Sequence, residues 1–153
     1  MSPLLPRLAV ASALLLSPAL PACGAPSLKT VDRIDAEHLE IVRGNERLAE
    51  TTLDHLRDLE AVTVSEQGHT QEGVPLSALL DDLKIETSSI TAIEAIGADG
   101  YRAELDPATA RSPDTLIVFA IDGDELPDHK GPLRLLTSDR ALSVRDLRRL
   151  VIR

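Results

Sequence analysis

Apolar and polar residues alternate in short runs along this chain, and turn signals separate the runs at close intervals. His38-Leu-Glu-Ile-Val-Arg43 alternates and meets Gly44-Asn45, the pattern of a strand entering a hairpin turn. Thr51-Thr52 suits the cap of a short helix over 53–59, with Leu53, Leu56 and Leu59 on one stripe. Ala61-Val-Thr-Val-Ser65 alternates as a strand. Gly73-Val74 leads to Pro75, a good first helical residue, and Leu76, Leu79, Leu80 and Leu83 recur at helical spacing. The spacing from Ile90 to Ile96 predicts a strand, Asp99-Gly100 a hairpin turn, and Tyr101 to Leu105 the return strand. Asp106-Pro107 opens a helical turn with a capping carboxylate and a proline behind it. Thr115-Leu-Ile-Val-Phe-Ala-Ile121 is apolar almost throughout, which predicts a strand buried on both faces. Asp122-Gly123 turns the chain, Leu133 to Leu136 reads as a strand, Ser143 as the cap of a helical turn beginning at Val144, and Leu150-Val-Ile152 as a closing strand. The sum is one α+β domain, strand-rich and mixed, with short helices and about seven to nine strands.

Residues 1–22 follow a different rule. One cation, Arg7, precedes an uncharged, mostly apolar stretch over 8–17 and then Pro18-Ala-Leu-Pro-Ala22. This is the layout of a secretory signal. The apolar stretch is shorter than the roughly 20 residues a helix needs to span a bilayer core of about 30 Å. Its end resembles a lipobox, with Leu20, Ala22, Cys23 and Gly24 in the expected order. That resemblance implies lipid on the Cys23 thiol and a new N-terminus at Cys23. The alternative is an ordinary cleaved signal with an incidental cysteine. The expected organisation is a lipoprotein signal over 1–22, a tether over 23–30 and the folded domain over 31–153. The expected location is the bacterial cell envelope, lipid-anchored and facing the periplasm, with the membrane as one partner.

Composition narrows the chemistry. The 153 residues carry a formal net charge of −9, one Cys, one Tyr, one Phe and no Trp. A single thiol excludes an intrachain disulfide and any metal site built from several thiolates. An acidic chain with two aromatic rings has neither the basic footprint nor the stacking platform that nucleic acid requires. No Ser-His-Asp order, phosphate loop or metalloprotease helix is present.

Six segments, in order, resemble the molybdopterin-binding domain of the sulfite oxidase type of oxidoreductase. They are Leu53-Asp-His-Leu-Arg-Asp-Leu59 with Val62-Thr-Val64; Gly73-Val-Pro-Leu-Ser-Ala-Leu-Leu80; Ala98-Asp-Gly-Tyr-Arg102; Leu116 to Ala120 with Asp122-Gly-Asp-Glu-Leu-Pro127; His129-Lys-Gly-Pro-Leu-Arg-Leu135; and Leu147-Arg-Arg-Leu-Val-Ile152. The chain looks most like short, exported, stand-alone versions of this domain. The resemblance implies a sulfite-oxidase-like molybdopterin-binding fold, and molybdopterin enters as a cofactor on that ground alone. In the catalytic family, a Cys thiolate from the loop after the early strand binds molybdenum. The matching stretch here, Ser65-Glu-Gln-Gly-His-Thr-Gln-Glu72, has no Cys. A hard hydroxyl such as that of Ser65 is a poor substitute for a soft thiolate. The family holds the cofactor's phosphate and pterin with Arg and His side chains, for which this chain offers Arg102, Arg111, His129 and Arg134.

The ligand-binding candidates are therefore His69, Tyr101, His129 and Arg134, with Cys23 as the lipidation site and no catalytic or metal-binding residue assigned. Each candidate has a plainer reading: His69 as an exposed loop histidine, His129 as a turn residue, Tyr101 as a half-buried structural ring. Asp81-Asp82 and the Asp122, Asp124, Glu125 group lack the spacing of a calcium loop and read as a solvated face and a turn. Arg145, Arg148, Arg149 and Arg153 form the one local basic cluster, able to meet anionic headgroups or an acidic partner, or to form a solvated edge. Three functions follow as expectations. The first is a non-catalytic binding module for a small anionic or pterin-like ligand or a protein partner, with no resident cofactor. The second is a molybdopterin-dependent oxidoreductase lacking the usual cysteine ligand. The third is a structural envelope lipoprotein.

Overall fold

A computed structural model describes residues 37–153. The signal, Cys23, the tether and the first residues of the expected domain lie outside that range. Two five-stranded sheets make up the fold, with three short helices. In chain order the elements are β1 (His38–Arg43), β2 (Glu46–Thr52), α1 (Leu53–Asp58), β3 (Val62–Glu66), β4 (His69–Pro75), α2 (Leu76–Asp82), β5 (Ile93–Gly97), β6 (Arg102–Leu105), α3 (Pro107–Arg111), β7 (Leu116–Ile121), β8 (Asp124–Glu125), β9 (Arg134–Leu136) and β10 (Leu147–Ile152).

The first sheet runs β2-β1-β10-β5-β6, and its β1–β10 pair is parallel. The second runs β3-β4-β7-β8, with β9 paired to β7 as well, all antiparallel. The expected α+β class and the short helices are both present, although the described residues hold ten strands rather than seven to nine.

Sequence signals explain the local structure. The Thr52 hydroxyl accepts the His55 backbone N–H and caps α1, and the Asp106 carboxylate accepts that of Thr109 and caps α3. Pro75 stands one residue earlier than expected, as the N-cap of α2. Leu76, Leu79 and Leu80 are buried from that helix, and Leu83 packs at the margin of the same cluster.

β7 is apolar on both faces, as its composition predicts. Ile117 and Phe119 join the main core with Leu39, Leu56 and Leu150, while Leu116 and Val118 join a second cluster with Leu126 and Leu136. With aromatics nearly absent, aliphatic side chains fill the interior, and dense packing of branched residues compensates for the missing ring area.

Three expectations need correction. The stretch 65–72 is not a loop: Ser65-Glu66 ends β3 and His69 begins β4, with only Gln67 and Gly68 between them at φ of 55° and 84°. A two-residue turn of this kind matches strand twist, so the stretch is a tight hairpin. Ser143 caps nothing that begins at Val144. Val144 instead bridges Leu135, and the helical turn lies earlier, at Arg140–Leu142, capped by Asp139. The strand expected from residue 90 starts at Ile93; Ile90 is buried but lies in the preceding turn.

Leu79 is fully buried at the centre of the main core. Leu79→Ala should lower unfolding free energy by about 2–5 kcal/mol, read from the midpoint of urea denaturation at constant slope.

Candidate functional site

Three arginines, one from β9 and two from the stretch that follows it, converge on one open cleft. β9 brings Arg134, and the bridge Leu135–Val144 sets what lies opposite it. Leu135 N–H donates to the Val144 carbonyl at 2.8 Å and Val144 N–H to the Leu135 carbonyl at 3.0 Å. In that antiparallel register, position 134 faces position 145, so both side chains emerge on one face. Arg140 arrives from the helical turn before the bridge. The cleft, of about 460 Å³, is lined by Arg134, Arg140 and Arg145 with Glu66, Gln67, Asp99, Tyr101 and Ser143.

The β5–β6 hairpin forms the opposite wall. Tyr101 N–H donates to the Asp99 carboxylate at 2.9 Å, and the Tyr101 hydroxyl donates to the Ala141 carbonyl at 2.6 Å. Close approach fixes this wall against Arg145: a Cβ on Gly97 would stand 2.6 Å from the Arg145 carbonyl oxygen. Only a glycine leaves room for that contact.

Behind the cleft lies a polar knot in which Gln71 is buried. Its carboxamide donates to Glu66 and accepts from Arg134 Nη1 at 3.1 Å, and the same nitrogen lies 3.1 Å from Glu66 Oε2. Glu66 is thus neutralised within the protein. Arg134 Nε is buried and has no hydrogen-bond partner among the described residues. Among the described residues, Arg140 and Arg145 form no ion pair, whereas the rest of the C-terminal cluster does. Arg148 meets Asp146 at 2.6 Å, Arg149 meets Glu40 at 2.6 Å, and Arg153 meets Glu94 at 2.6 Å and Glu104 at 3.0 Å. Two guanidinium groups without an ion pair among the described residues, beside a mostly buried third, give this cleft the chemistry to attract an anion on an otherwise acidic protein. Two further clefts, of about 300 and 250 Å³, are rimmed by carboxylates that include Glu125.

Of the candidates proposed from sequence, Tyr101 and Arg134 meet in the cleft, and His69 and His129 do not line it. Tyr101 is 47% exposed, so about half of the residue is covered. His69 pairs across the β4–β7 ladder, its Nδ1 2.7 Å from Asp122 Oδ2, while Asp122 Oδ1 accepts the Thr70 backbone N–H at 2.8 Å. His129 is an exposed residue of the Asp128–Lys130 helical turn. Arg102 pairs with Glu94 and Arg111 reaches the Thr87 carbonyl, so neither of these is in the cleft. Asp82 meets His55 at 2.9 Å, joining α2 to α1. Among the described residues, no group of three or more His, Cys, Asp or Glu side chains is arranged to hold a metal ion. Arg140 and Ser143 went unread as site residues, and Arg145 was read only as part of the basic cluster. Their signal is Asp139 followed by Arg140, a cap and turn that lead into the bridge.

The family model of the oxidoreductase molybdopterin binding domain matches residues 28–151, and the chain belongs to that family. No curated protein matches the sequence. Among solved structures, the sulfane dehydrogenase SoxCD from Paracoccus pantotrophus is similar with a TM-score of 0.64 and 19% identity. The match covers 78% of this chain and 39% of that one, so the chain spans well under half of that protein's length. At this identity the likeness speaks for the fold, a strand-rich arrangement shared with that sulfane dehydrogenase. The protein thus carries a molybdopterin-binding, oxidoreductase-like domain. The cleft's donors fit the anionic part of such a cofactor: unpaired guanidinium groups and an orphaned buried N–H suit a phosphate. They do not fit its metal. The only Cys of the chain is Cys23, and the β3–β4 hairpin lines the cleft with Glu66 and Gln67, hard oxygen donors where the family uses a soft thiolate.

The His69 ring and the Thr70 N–H hold the Asp122 carboxyl below its ordinary pKa. A lowered carboxyl contributes stability above its unfolded pKa of about 3.9, and that contribution is lost as pH falls through the lower folded value. Asp122→Asn keeps a residue that tolerates the left-handed backbone there, at φ 53°. Its melting temperature should therefore decline less steeply than wild type below about pH 4.

Proposed function

We propose that this protein is an exported, lipid-anchored binding module whose molybdopterin-family domain holds a small anionic or pterin-like ligand in the arginine cleft. The observation that carries this reading is the meeting of Arg134, Arg140 and Arg145 in one cleft, two of them without an ion pair among the described residues. Family membership supports the ligand class, since the domain's cofactor presents a phosphate and a pterin. The cysteine-free hairpin supports binding without metal ligation by the chain. The lipobox-like stretch around Cys23 supports an anchor at the envelope membrane, with the cleft facing the periplasm.

In this reading the residues have separate tasks. Arg140 and Arg145 attract and clamp the anion, Arg134 donates from the half-buried floor, and Glu66 with Gln71 fixes the direction of Arg134. Bidentate guanidinium geometry favours a planar or tetrahedral oxyanion over a simple halide. The alternative is a molybdopterin-dependent oxidoreductase whose metal is held by the cofactor alone.

Protein purified from its native host should contain molybdenum and tungsten well below one equivalent and bind inorganic phosphate at low salt by calorimetry. Stoichiometric metal would establish the oxidoreductase instead. Arg134→Gln should weaken phosphate binding about 10- to 100-fold, the scale of one charged hydrogen bond. Cys23→Ser should move the protein from the membrane fraction to the soluble periplasmic fraction on cell fractionation.

A further inference from the structure

We propose that Tyr101 is the positioning residue of the cleft, a latch whose hydroxyl sets the spacing between the two uncommitted arginines and Arg134. The inference rests on the anion-binding reading above and assigns what holds that site in shape.

Arg140 and Arg145 lie on one irregular stretch between β9 and β10. That stretch has few hydrogen bonds to the rest of the domain, with Leu142 as its packing contact to the main core. Asp139 caps its helical turn by accepting the Ala141 N–H at 2.9 Å, and Ser143 Oγ accepts the Thr137 N–H at 3.2 Å. Both of these bonds are internal to 137–143, so they shape the turn but do not tie it by hydrogen bond to the cleft's other wall. The Leu135–Val144 bridge fixes its far end. At the middle of the stretch, the bond from the Tyr101 hydroxyl to the Ala141 carbonyl ties it to the β5–β6 hairpin, 40 residues away in sequence.

The base of the latch is rigid. Tyr101 N–H is held by Asp99, Gly97 N–H donates to the Tyr101 carbonyl at 2.9 Å, and Ala98 N–H donates to the Asp146 carbonyl at 2.8 Å. One end of the tyrosine is therefore fixed to the sheet beside Arg145, and the other grips the turn that carries Arg140. A guanidinium pair set to a fixed spacing loses less side-chain freedom when an anion binds, which is where a brace of this kind improves affinity. A residue 47% exposed whose hydroxyl donates to the turn suits that task better than core packing.

Tyr101 is also the only tyrosine, and the chain has no tryptophan, so tyrosine emission reports on this one side chain. In the full-length protein, inorganic phosphate should change that emission with the same midpoint as the calorimetric isotherm. Tyr101→Phe removes only the hydroxyl. It should weaken phosphate binding about 3- to 10-fold, the scale of one neutral hydrogen bond, and speed amide hydrogen exchange at 140–143. Arg145→Gln is the complement: phosphate binding falls while exchange at 140–143 stays as in wild type. Equal phosphate affinity in wild type and Tyr101→Phe, or unchanged exchange in that variant, overturns the latch and leaves the anion site standing. Wild-type protein that binds no phosphate and shows no emission change overturns the anion site and the latch with it.

Discussion

β7 has almost no polar side chain to offer to water, so both of its faces must be covered. One face turns Ile117 and Phe119 into the main core, and the other turns Leu116 and Val118 into the smaller cluster with Leu126 and Leu136. A strand buried on both sides cannot sit at the surface of its sheet, and here it pairs with β4 along one edge and with β8 and β9 along the other. The remaining architecture depends on that placement. β4 carries Gln71 and β9 carries Arg134, and Val118 between them is in register with Gly73 on one side and Arg134 on the other. The polar knot of Glu66, Gln71 and Arg134 is thus built over a strand whose position is set by hydrophobic burial.

Charge is managed with the same economy. Basic side chains are mostly spent on the acids next to them. Arg47 and Arg149 both hold the buried Glu40, and Arg153 bridges Glu94 and Glu104 across the first sheet. A buried carboxylate left alone would be costly, so these pairs are needed before any cation is available for a ligand. Arg140 and Arg145 fall on the stretch between β9 and β10, where no acid is within pairing distance among the described residues. An overall acidic protein presents a local cationic cleft because pairing is decided by neighbours and not by net charge.

Local features were legible where the signal involved a few adjacent residues. The Thr52 and Asp106 caps, the leucine stripe of α2, the Gly44-Asn45 and Asp99-Gly100 turns and the two-sided burial of β7 all depend on side chains a turn or less apart. Features that depend on pairing partners were misread. The stretch 65–72 contains Gly, Gln, Glu and Thr and looks like a polar loop, yet β4 is held in place by β3 on one side and β7 on the other. Ser143 has the side chain of a helix cap, but Val144 is captured by Leu135 and the helical turn moves upstream. His69 is a candidate from sequence because it falls in the stretch that matches the family's metal-ligand loop. His69 stands directly opposite Glu66 in the β3–β4 register, but its ring is taken by Asp122 beyond the end of β7, while Glu66 lines the cleft.

Sequence alone determined the α+β class, the positions of most turns and caps, the aliphatic core and the family, because these rest on periodicity, on local hydrogen bonds and on ordered motifs along the chain. It also determined that the domain has no thiol beyond Cys23. Tertiary structure alone decided which cations share a site. Arg134, Arg140 and Arg145 are brought together by an antiparallel bridge and a tyrosine from a distant hairpin, and the same folding consumed Arg102, Arg148, Arg149 and Arg153 in ion pairs. Guanidinium groups are alike in sequence, and only the folded chain sorts them: Arg140 and Arg145 meet no carboxylate among the described residues, while Arg134 reaches the same cleft already paired with Glu66.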